Sequence, residues 1–75
     1  MILKQTIENI AQEYLQGSGL SLVEVTVSED NDIEVIISRE EGVSIDDCAG
    51  LSRHIESKLD RDKEDFSLMV GSAGI

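Results

Sequence analysis

The chain has 75 residues, one cysteine and a net charge of −10, from 16 acidic and 6 basic side chains, which leaves room for one small domain. So acidic a surface repels phosphate groups and argues against strong binding to nucleic acids or anionic membranes, while a single cysteine excludes an internal disulfide and a cysteine-based zinc site. No apolar run is long enough to span a bilayer or to form a leader near Lys4, so we expect a soluble, intracellular protein.

The first predicted element is a helix that starts at Leu3. Apolar residues recur at steps of three and four and form one stripe, with polar side chains between them. Gly17 and Gly19 end the helix, because glycine adopts the left-handed conformation at a helix C-terminus without steric strain. The stripe consists of Leu3, Ile7, Ile10, Ala11, Tyr14 and Leu15.

Two strands follow, because the hydrophobic period changes from helical spacing to strict alternation. Three valines share one face over residues 22–28, and three branched side chains do the same over 32–38. The short polar residues at 29–31 tolerate turn geometry, so the two strands are predicted to form a hairpin. The inward-facing residues are Val23, Val25, Val27, Ile33, Val35 and Ile37.

A second amphipathic helix is predicted to start after Ser44 and to end at 58–60, ahead of a solvated linker at 61–65. Ser44 and Asp47 have the spacing of a capping box, and the early acids Asp46 and Asp47 suit the positive end of the helix dipole. The apolar stripe of this helix consists of Ile45, Cys48, Ala49, Ser52, Ile55 and Leu59.

A third short strand is predicted where Phe66, Leu68 and Val70 alternate with small or polar residues, before residues 71–74 open into coil. The element order α-β-β-α-β predicts one α+β domain over residues 1–75, a two-layer sandwich with both helices on one face of a three-stranded sheet. The pairing partner of the third strand stays open. The other sheet face is either solvated or a docking face, and its predicted residues are Leu22, Glu24, Thr26, Glu34, Ile36 and Met69.

Cys48 invites a nucleophile hypothesis, because the first turn of a helix favours a thiolate, although the adjacent carboxylates of Asp46 and Asp47 oppose it. His54 follows six residues later, about 240° around the helix, so the two side chains do not face each other. We therefore predict a buried structural cysteine, an exposed or half-buried histidine and no catalytic residue. We also predict no metal site, because the calcium-loop-like segments at 30–32 and 60–62 lack the required glycine. No cofactor is predicted either, because the glycine-containing segment at 71–74 lacks the lysine and the following helix of a phosphate-binding loop.

Three motifs occur in order along the chain: Gly-Leu-Ser-Leu-Val-Glu-Val at 19–25, Gly-Val-Ser-Ile-Asp-Asp-Cys-Ala-Gly-Leu-Ser-Arg at 42–53, and Leu-Met-Val-Gly-Ser-Ala-Gly at 68–74. Together they resemble the N-terminal domain of the RimP family of ribosome maturation factors. The resemblance implies a cytoplasmic bacterial protein that assists maturation of the small ribosomal subunit by binding rather than catalysis. Ala73 stands where the family commonly has proline, and the family continues beyond Ile75 into a C-terminal β-barrel domain, so we expect an N-terminal domain without that neighbour.

The residues that match the family's helix motif have clear structural roles. Capping accounts for Ser44, Asp46 and Asp47, and packing accounts for Cys48 and Leu51. Arg53 is a better candidate for a contact, because its planar guanidinium suits a carboxylate or a phosphate. The predicted partner-binding residues are Ser52, Arg53, Gly71, Ser72, Ala73 and Gly74.

We expect the small ribosomal subunit as partner, through basic ribosomal proteins that an acidic domain attracts, with weak or no direct RNA binding and no membrane contact. Two alternatives belong to other functional classes. One is a regulatory module that binds a small ligand between two copies paired edge to edge. The other is an enzyme that uses Cys48, for which thiol alkylation of the folded protein is the simplest test.

Overall fold

A computed structural model describes residues 2–59 and 65–73, and its five elements follow the predicted order. They are α1 (Lys4–Leu15), β1 (Ser21–Val27), β2 (Asp32–Ser38), α2 (Ile45–Lys58) and β3 (Ser67–Ser72). The α+β class is therefore confirmed. The predicted linker lies outside the described residues except for Asp65, which is exposed. Neither helix has the length and apolar composition needed to cross a bilayer.

The strand β2 occupies the centre of the sheet, a position that the sequence left open. β1 pairs antiparallel with one side of β2, and β3 pairs parallel with the other side. The inward side chains of β2, Ile33, Val35 and Ile37, are at most 3% exposed, as predicted. Both helices cover this face: α1 contacts β1, α2 contacts β3, and the helices contact each other.

The core lies between this sheet face and the two helices. Ile7 and Ala11 of α1 and Leu51 and Ile55 of α2 are completely buried. Burial of one large aliphatic side chain stabilises the fold by roughly 1.5–3 kcal/mol, so these contacts join the two layers. The residue Leu51 was absent from the predicted stripe of α2, although the helix motif predicted that it packs, and it is completely buried.

Two residues of the predicted helical stripes lie outside the core. Leu3 is the N-cap of α1 and is 61% exposed, and Ile45 is the first residue of α2 and is 87% exposed. Each lies at the start of its helix, ahead of the turns that contact the sheet. The helical spacing of apolar residues therefore continues beyond the part of each helix that packs on the sheet. The prediction that these two residues face inward is wrong.

The strand β1 departs from the predicted alternation at Val23. Leu22 pairs with Ile37 and Glu24 pairs with Ile36, so Val23 is the extra residue of a β-bulge. The bulge reverses the alternation on its N-terminal side. Leu22 packs against the core, and Val23 is 53% exposed, so the predicted faces of both residues are wrong.

The strand β3 extends further than predicted. Gly71 and Ser72 are strand residues that pair with Ile36 and Ile37. The backbone N–H of Ala73 then donates to the carbonyl oxygen of Ile37 at 2.8 Å. Gly71 and Ser72 were predicted to be coil, and this is wrong because the ladder with β2 continues past Val70. Residue 74 lies outside the described residues.

The turn between β1 and β2 forms hydrogen bonds with two other parts of the chain. Asn31 adopts a left-handed conformation with φ of 61°. Its side-chain oxygen accepts a hydrogen bond from the N–H of Ile2 at 3.0 Å, and its side-chain amide donates to the carbonyl oxygen of Asp65 at 3.2 Å. Its own carbonyl oxygen accepts from the N–H of Ser67 at 3.0 Å. This turn residue therefore joins the N-terminal segment to the start of β3.

The two helices approach each other closely at Gly50. A Cβ atom built at this position would overlap the phenolic oxygen of Tyr14 on α1. The Tyr14 ring also lies beside the ring of His54, with centroids 5.2 Å apart and an interplanar angle of 38°. Gly50 and His54 are one helical turn apart, so the tyrosine lies in a notch that the missing side chain provides.

Substitutions at Asn31 separate its backbone role from its side-chain role. Asn31→Gly keeps the left-handed conformation but loses the side-chain hydrogen bonds to Ile2 and Asp65, at about 1 kcal/mol each. Asn31→Ala adds the strain of a left-handed Cβ, roughly 1–2 kcal/mol. Urea unfolding should therefore rank the stability as wild type, then Asn31→Gly, then Asn31→Ala. Equal midpoints for the two variants would show that the left-handed conformation is not required.

A second stability test concerns Gly50. Alanine is favoured over glycine in a helix by about 1 kcal/mol, but here the added methyl group meets Tyr14, so we expect Gly50→Ala to destabilise by about 1–3 kcal/mol. In a Tyr14→Phe background the overlapping oxygen is gone, and the loss should shrink. Urea midpoints of the four proteins in this cycle measure the coupling. A higher midpoint for Gly50→Ala in the wild-type background would contradict the close approach.

Candidate functional site

Most of the site residues predicted from the sequence lie at one end of the sheet. Because β2 and β3 are parallel, their C-terminal ends lie at the same edge, and α2 begins there as well. In open sheets with parallel strands, ligands commonly bind beyond the carboxyl ends of the strands. We call the surface formed by the loop 38–43, Ser72 and Ala73 the exit surface.

The capping box predicted from the sequence is present at the start of α2. The hydroxyl of Ser44 accepts a hydrogen bond from the N–H of Asp47 at 3.1 Å, and Oδ2 of Asp47 accepts one from the N–H of Ser44 at 2.9 Å. Asp46 lies exposed in the same turn, near the positive end of the helix dipole. These contacts give Ser44 and Asp47 a structural role at the edge of the exit surface.

Arg39, which the sequence analysis did not single out, joins three parts of the chain. Its Nη1 lies 2.9 Å from Oδ2 of Asp47, and its Nη2 donates to the carbonyl oxygen of Ser18 at 3.1 Å. The guanidinium group therefore connects the end of β2 with the loop before β1 and the first turn of α2. An arginine between a buried strand and a capping box is a usable signal for the contact with Asp47, whereas the contact with Ser18 depends on the tertiary fold.

These contacts hold the pKa of Asp47 below its ordinary value of 3.8. The backbone N–H of Ser44 is the largest cause, and the Ser44 hydroxyl and the Arg39 guanidinium lower the pKa further, while desolvation raises it. Asp47 is therefore ionised at neutral pH and keeps Arg39 in place.

Two open depressions lie beside this network. The larger, of about 430 Å³, is lined by the loop 38–43 together with Ser72 and Ala73. Two of the predicted contact residues thus lie next to the exposed carboxylates of Glu40 and Glu41. The smaller depression, of about 380 Å³, is lined by Ser18, Gly19, Arg39, Glu40 and Glu41.

The other predicted contact residues lie away from the exit surface. Arg53 is eight residues beyond the first residue of α2, which places it about 12 Å along the helix axis. Its side chain is exposed and makes no hydrogen bond or ion pair with the residues that the structure describes, whereas Ser52 is half-buried. The structure therefore does not bring the predicted contact residues together at one site.

Cys48 and His54 have separate environments. Cys48 is half-buried and packs against the core, so it is less buried than predicted. His54 is half-buried, which is one of its two predicted placements, and its Nε2 lies 3.7 Å from Oε1 of Glu13. Within residues 2–59 and 65–73, no three His, Cys, Asp or Glu side chains are placed to hold a metal ion.

The sheet face opposite the helices is a second candidate surface, which we call the open face. The strand register aligns Thr26, Glu34 and Met69 in one row across the sheet. The next row contains Ile36 at its centre and Gly71 on β3. The residues of the open face are Val23, Glu24, Thr26, Asp32, Glu34, Ile36, Ser67, Met69 and Gly71.

The open face combines exposed apolar side chains with carboxylates. Met69 is 58% exposed, and Ile36 is half-buried. Part of this face is a depression of about 500 Å³, whose lining includes Met69 and Glu34. None of the residues that the three strands place there is a lysine or arginine. The bulge at Val23 adds a third apolar side chain to this face, which the sequence analysis missed because the alternation alone places Val23 inward.

Comparison with known proteins covers the whole chain. A sequence model of the RimP N-terminal domain matches residues 10–75. Proteins named ribosome maturation factor RimP are similar to it: one from Porphyromonas gingivalis is 47% identical over 75 residues, one from Christiangramia forsetii 40% over 75, and one from Flavobacterium psychrophilum 32% over 76. These matches cover 99% or 100% of the chain but 49% of each relative, so the chain spans about half the length of the curated relatives it matches.

The lowered pKa of Asp47 predicts an acid-sensitive contribution to stability. A carboxyl group with a depressed pKa stabilises the fold above its unfolded value, near 3.8, and this contribution is lost as the pH falls towards the folded value. Asp47→Asn should therefore be less stable than wild type at pH 6, and the difference should narrow towards pH 3. Urea unfolding at the two pH values measures it.

The matched control for this test is Asp46→Asn, which removes an exposed carboxylate from the same helical turn without touching Ser44 or Arg39. Its effect at pH 6 should be smaller than that of Asp47→Asn. Equal effects would assign the stabilisation to the helix dipole alone and contradict the role given to the network.

Proposed function

This chain belongs to the RimP N-terminal domain family, as its three motifs predicted, and we propose on that premise that it is a binding module of a ribosome maturation factor. It assists maturation of the small ribosomal subunit in the bacterial cytoplasm by docking rather than by catalysis. We further propose that residues 1–75 form one domain and that a C-terminal β-barrel domain accompanies it in full-length members of the family. Relatives named ribosome maturation factor RimP, matched along the whole chain, support this function.

The charge of the domain supports a basic protein as its partner. Acidic side chains outnumber basic ones by 16 to 6. Two of the cations already lie near carboxylates, because Arg39 contacts Asp47 at 2.9 Å and Nζ of Lys58 lies 3.6 Å from Oε1 of Glu13. An acidic surface attracts basic proteins by electrostatic steering and repels the phosphate backbone of RNA. The proposed partners are therefore basic proteins of the small subunit, with weak or no direct binding to RNA by this domain alone.

The environments of the two most reactive side chains support binding rather than catalysis. Cys48 lies against the core in the first turn of α2, where Ser44 and Asp47 bond to each other in the capping box. His54 lies against the ring of Tyr14 and close to Glu13. Both side chains thus have packing roles in this fold, which favours a non-enzymatic function.

Arg53 and the end of β3 are retained as proposed contacts. The exposed guanidinium of Arg53 is available to a carboxylate of a partner, with Ser52 next to it in the helix. Ser72 and Ala73 line the larger depression of the exit surface. Gly71 belongs to the open face, and the proposed contact at residue 74 lies outside the described residues.

Co-sedimentation with purified small ribosomal subunits tests this proposal. We expect selective binding of the chain to small subunits over large subunits, because the proposed partner proteins belong to the small subunit. The binding should weaken as salt is raised, since electrostatic attraction is screened. Arg53→Ala should reduce the bound fraction, because the proposal places this side chain in the contact with the subunit.

The controls for this experiment are naked small-subunit RNA and a full-length RimP relative. Tight binding of the 75-residue chain to RNA with a steep salt dependence would contradict the proposed partner class. Binding by the full-length relative alone would show that recognition needs the part outside this chain. Binding by neither would favour the small-ligand alternative, which requires a dimer and a thermal shift with amino acids or nucleotides.

A further inference from the structure

We propose that the open face docks one basic amphipathic helix of a protein partner. This inference rests on the proposed function and names the surface through which that function operates. The opposite sheet face is already covered by α1 and α2. The open face is therefore the side of the sheet on which a further layer can pack.

The dimensions of the open face suit one helix. Neighbouring strands lie about 4.8 Å apart, so the axes of β1 and β3 are about 10 Å apart across β2, which is close to the diameter of one α-helix. A single helix placed along the sheet would therefore contact all three strands. Docking of one helix converts the two-layer fold into a three-layer arrangement with β2 at its centre.

The apolar residues of the open face lie on a diagonal across the sheet, because Met69 pairs with Glu34, one row away from Ile36. Val23 lies on β1, Ile36 on β2 and Met69 on β3, so each strand contributes one side chain. Methionine is flexible and adapts to different partner surfaces. Gly71 lies beside Ile36, and glycine inside a strand often marks a place where another chain approaches closely. These features provide an apolar strip for the apolar side of a helix.

The carboxylates of the open face select a basic partner. Glu24, Asp32 and Glu34 flank the apolar strip, and the strands place no cation on this face. Lysine or arginine residues beside the apolar stripe of a helix would complement these charges. A second copy of this chain is disfavoured as occupant, because it would bring the same carboxylates and another net charge of −10.

A pair of labelled peptides tests the open face directly. The first is an 18-residue peptide of lysine, alanine and leucine whose leucines follow helical spacing, and the second is an isomer of equal charge whose leucines are scattered. Fluorescence anisotropy should show tighter binding of the first peptide to the wild-type chain. Equal affinity for both peptides would show that the interaction is only non-specific charge attraction, and it would overturn the proposal.

Two variants of the open face remove different features of it. Gly71→Val fills the space beside Ile36, and the strand tolerates it because a Cβ atom there lies 3.7 Å from the Ile36 methyl group, an ordinary contact distance. Glu24→Gln combined with Glu34→Gln removes two carboxylates without changing the shape. Each variant should weaken binding of the helical peptide by about tenfold or more, the effect expected of a central contact.

Matched controls change similar groups on other surfaces. Leu3→Ala with Ile45→Ala removes two exposed apolar side chains, and Glu40→Gln with Glu41→Gln removes two carboxylates of the exit surface. Both should change the affinity by less than about twofold. A larger effect of the Glu40 and Glu41 pair than of the open-face pair would assign docking to the exit surface and overturn the proposal.

Co-sedimentation of the same variants separates this inference from the proposed function. Small-subunit binding that is lost in Gly71→Val, with the unfolding midpoint unchanged, supports both. Small-subunit binding that survives Gly71→Val supports the function and overturns the open face as its docking surface. Absence of small-subunit binding by both the wild-type chain and a full-length RimP relative, together with selective binding of the helical peptide, would reject the function while leaving the open-face proposal standing.

Discussion

The strict alternation of β2 is the constraint on which the rest of the structure depends. Ile33, Val35 and Ile37 must lie on one face, and they are buried there to 3% exposure or less. Because a strand has a period of two residues, Glu34 and Ile36 must then lie on the opposite face, and a slip of one residue would exchange the two sets. The helix-covered core and the open face are thus two consequences of one sequence pattern in the strand that both neighbours pair with.

Polar contacts fix the layers at the two ends of β2. Before the strand begins, Asn31 bonds to Ile2 and to Asp65, which holds the segments that precede α1 and β3. After the strand ends, Arg39 bonds to Ser18 and Asp47, which holds the start of α2. The Arg39–Asp47 pair is partly buried, at 27% and 20% side-chain exposure, and is oriented by several hydrogen bonds, unlike a fully exposed ion pair. The carboxylates outside this network leave the surface acidic.

The sequence alone was enough to predict the elements that depend only on residues close to one another in the chain. The two helices, the alternation of β2 and the capping box at Ser44 depend on neighbouring residues, and all are present. The bulge at Val23 was missed because it depends on how β1 and β2 are aligned. The exposure of Ile45 was missed because it depends on where the sheet ends. The same limit applies to function. The motifs predicted the family, whereas the open face and the contact of Arg39 with Ser18 required the strand order and the tertiary fold.

These features combine into one proposed account, in which a sheet covered on one side by its own helices offers the other side to a basic partner during ribosome maturation. Methyl-group NMR of the chain labelled at isoleucine and methionine, titrated with purified small ribosomal subunits, tests this claim most directly. The account predicts that the methyl signals of Ile36 and Met69 broaden first, while that of Ile45, which is 87% exposed on α2, responds least. Early broadening of Ile45 with unchanged signals from Ile36 and Met69 would place the contact on the other side of the domain and contradict the account.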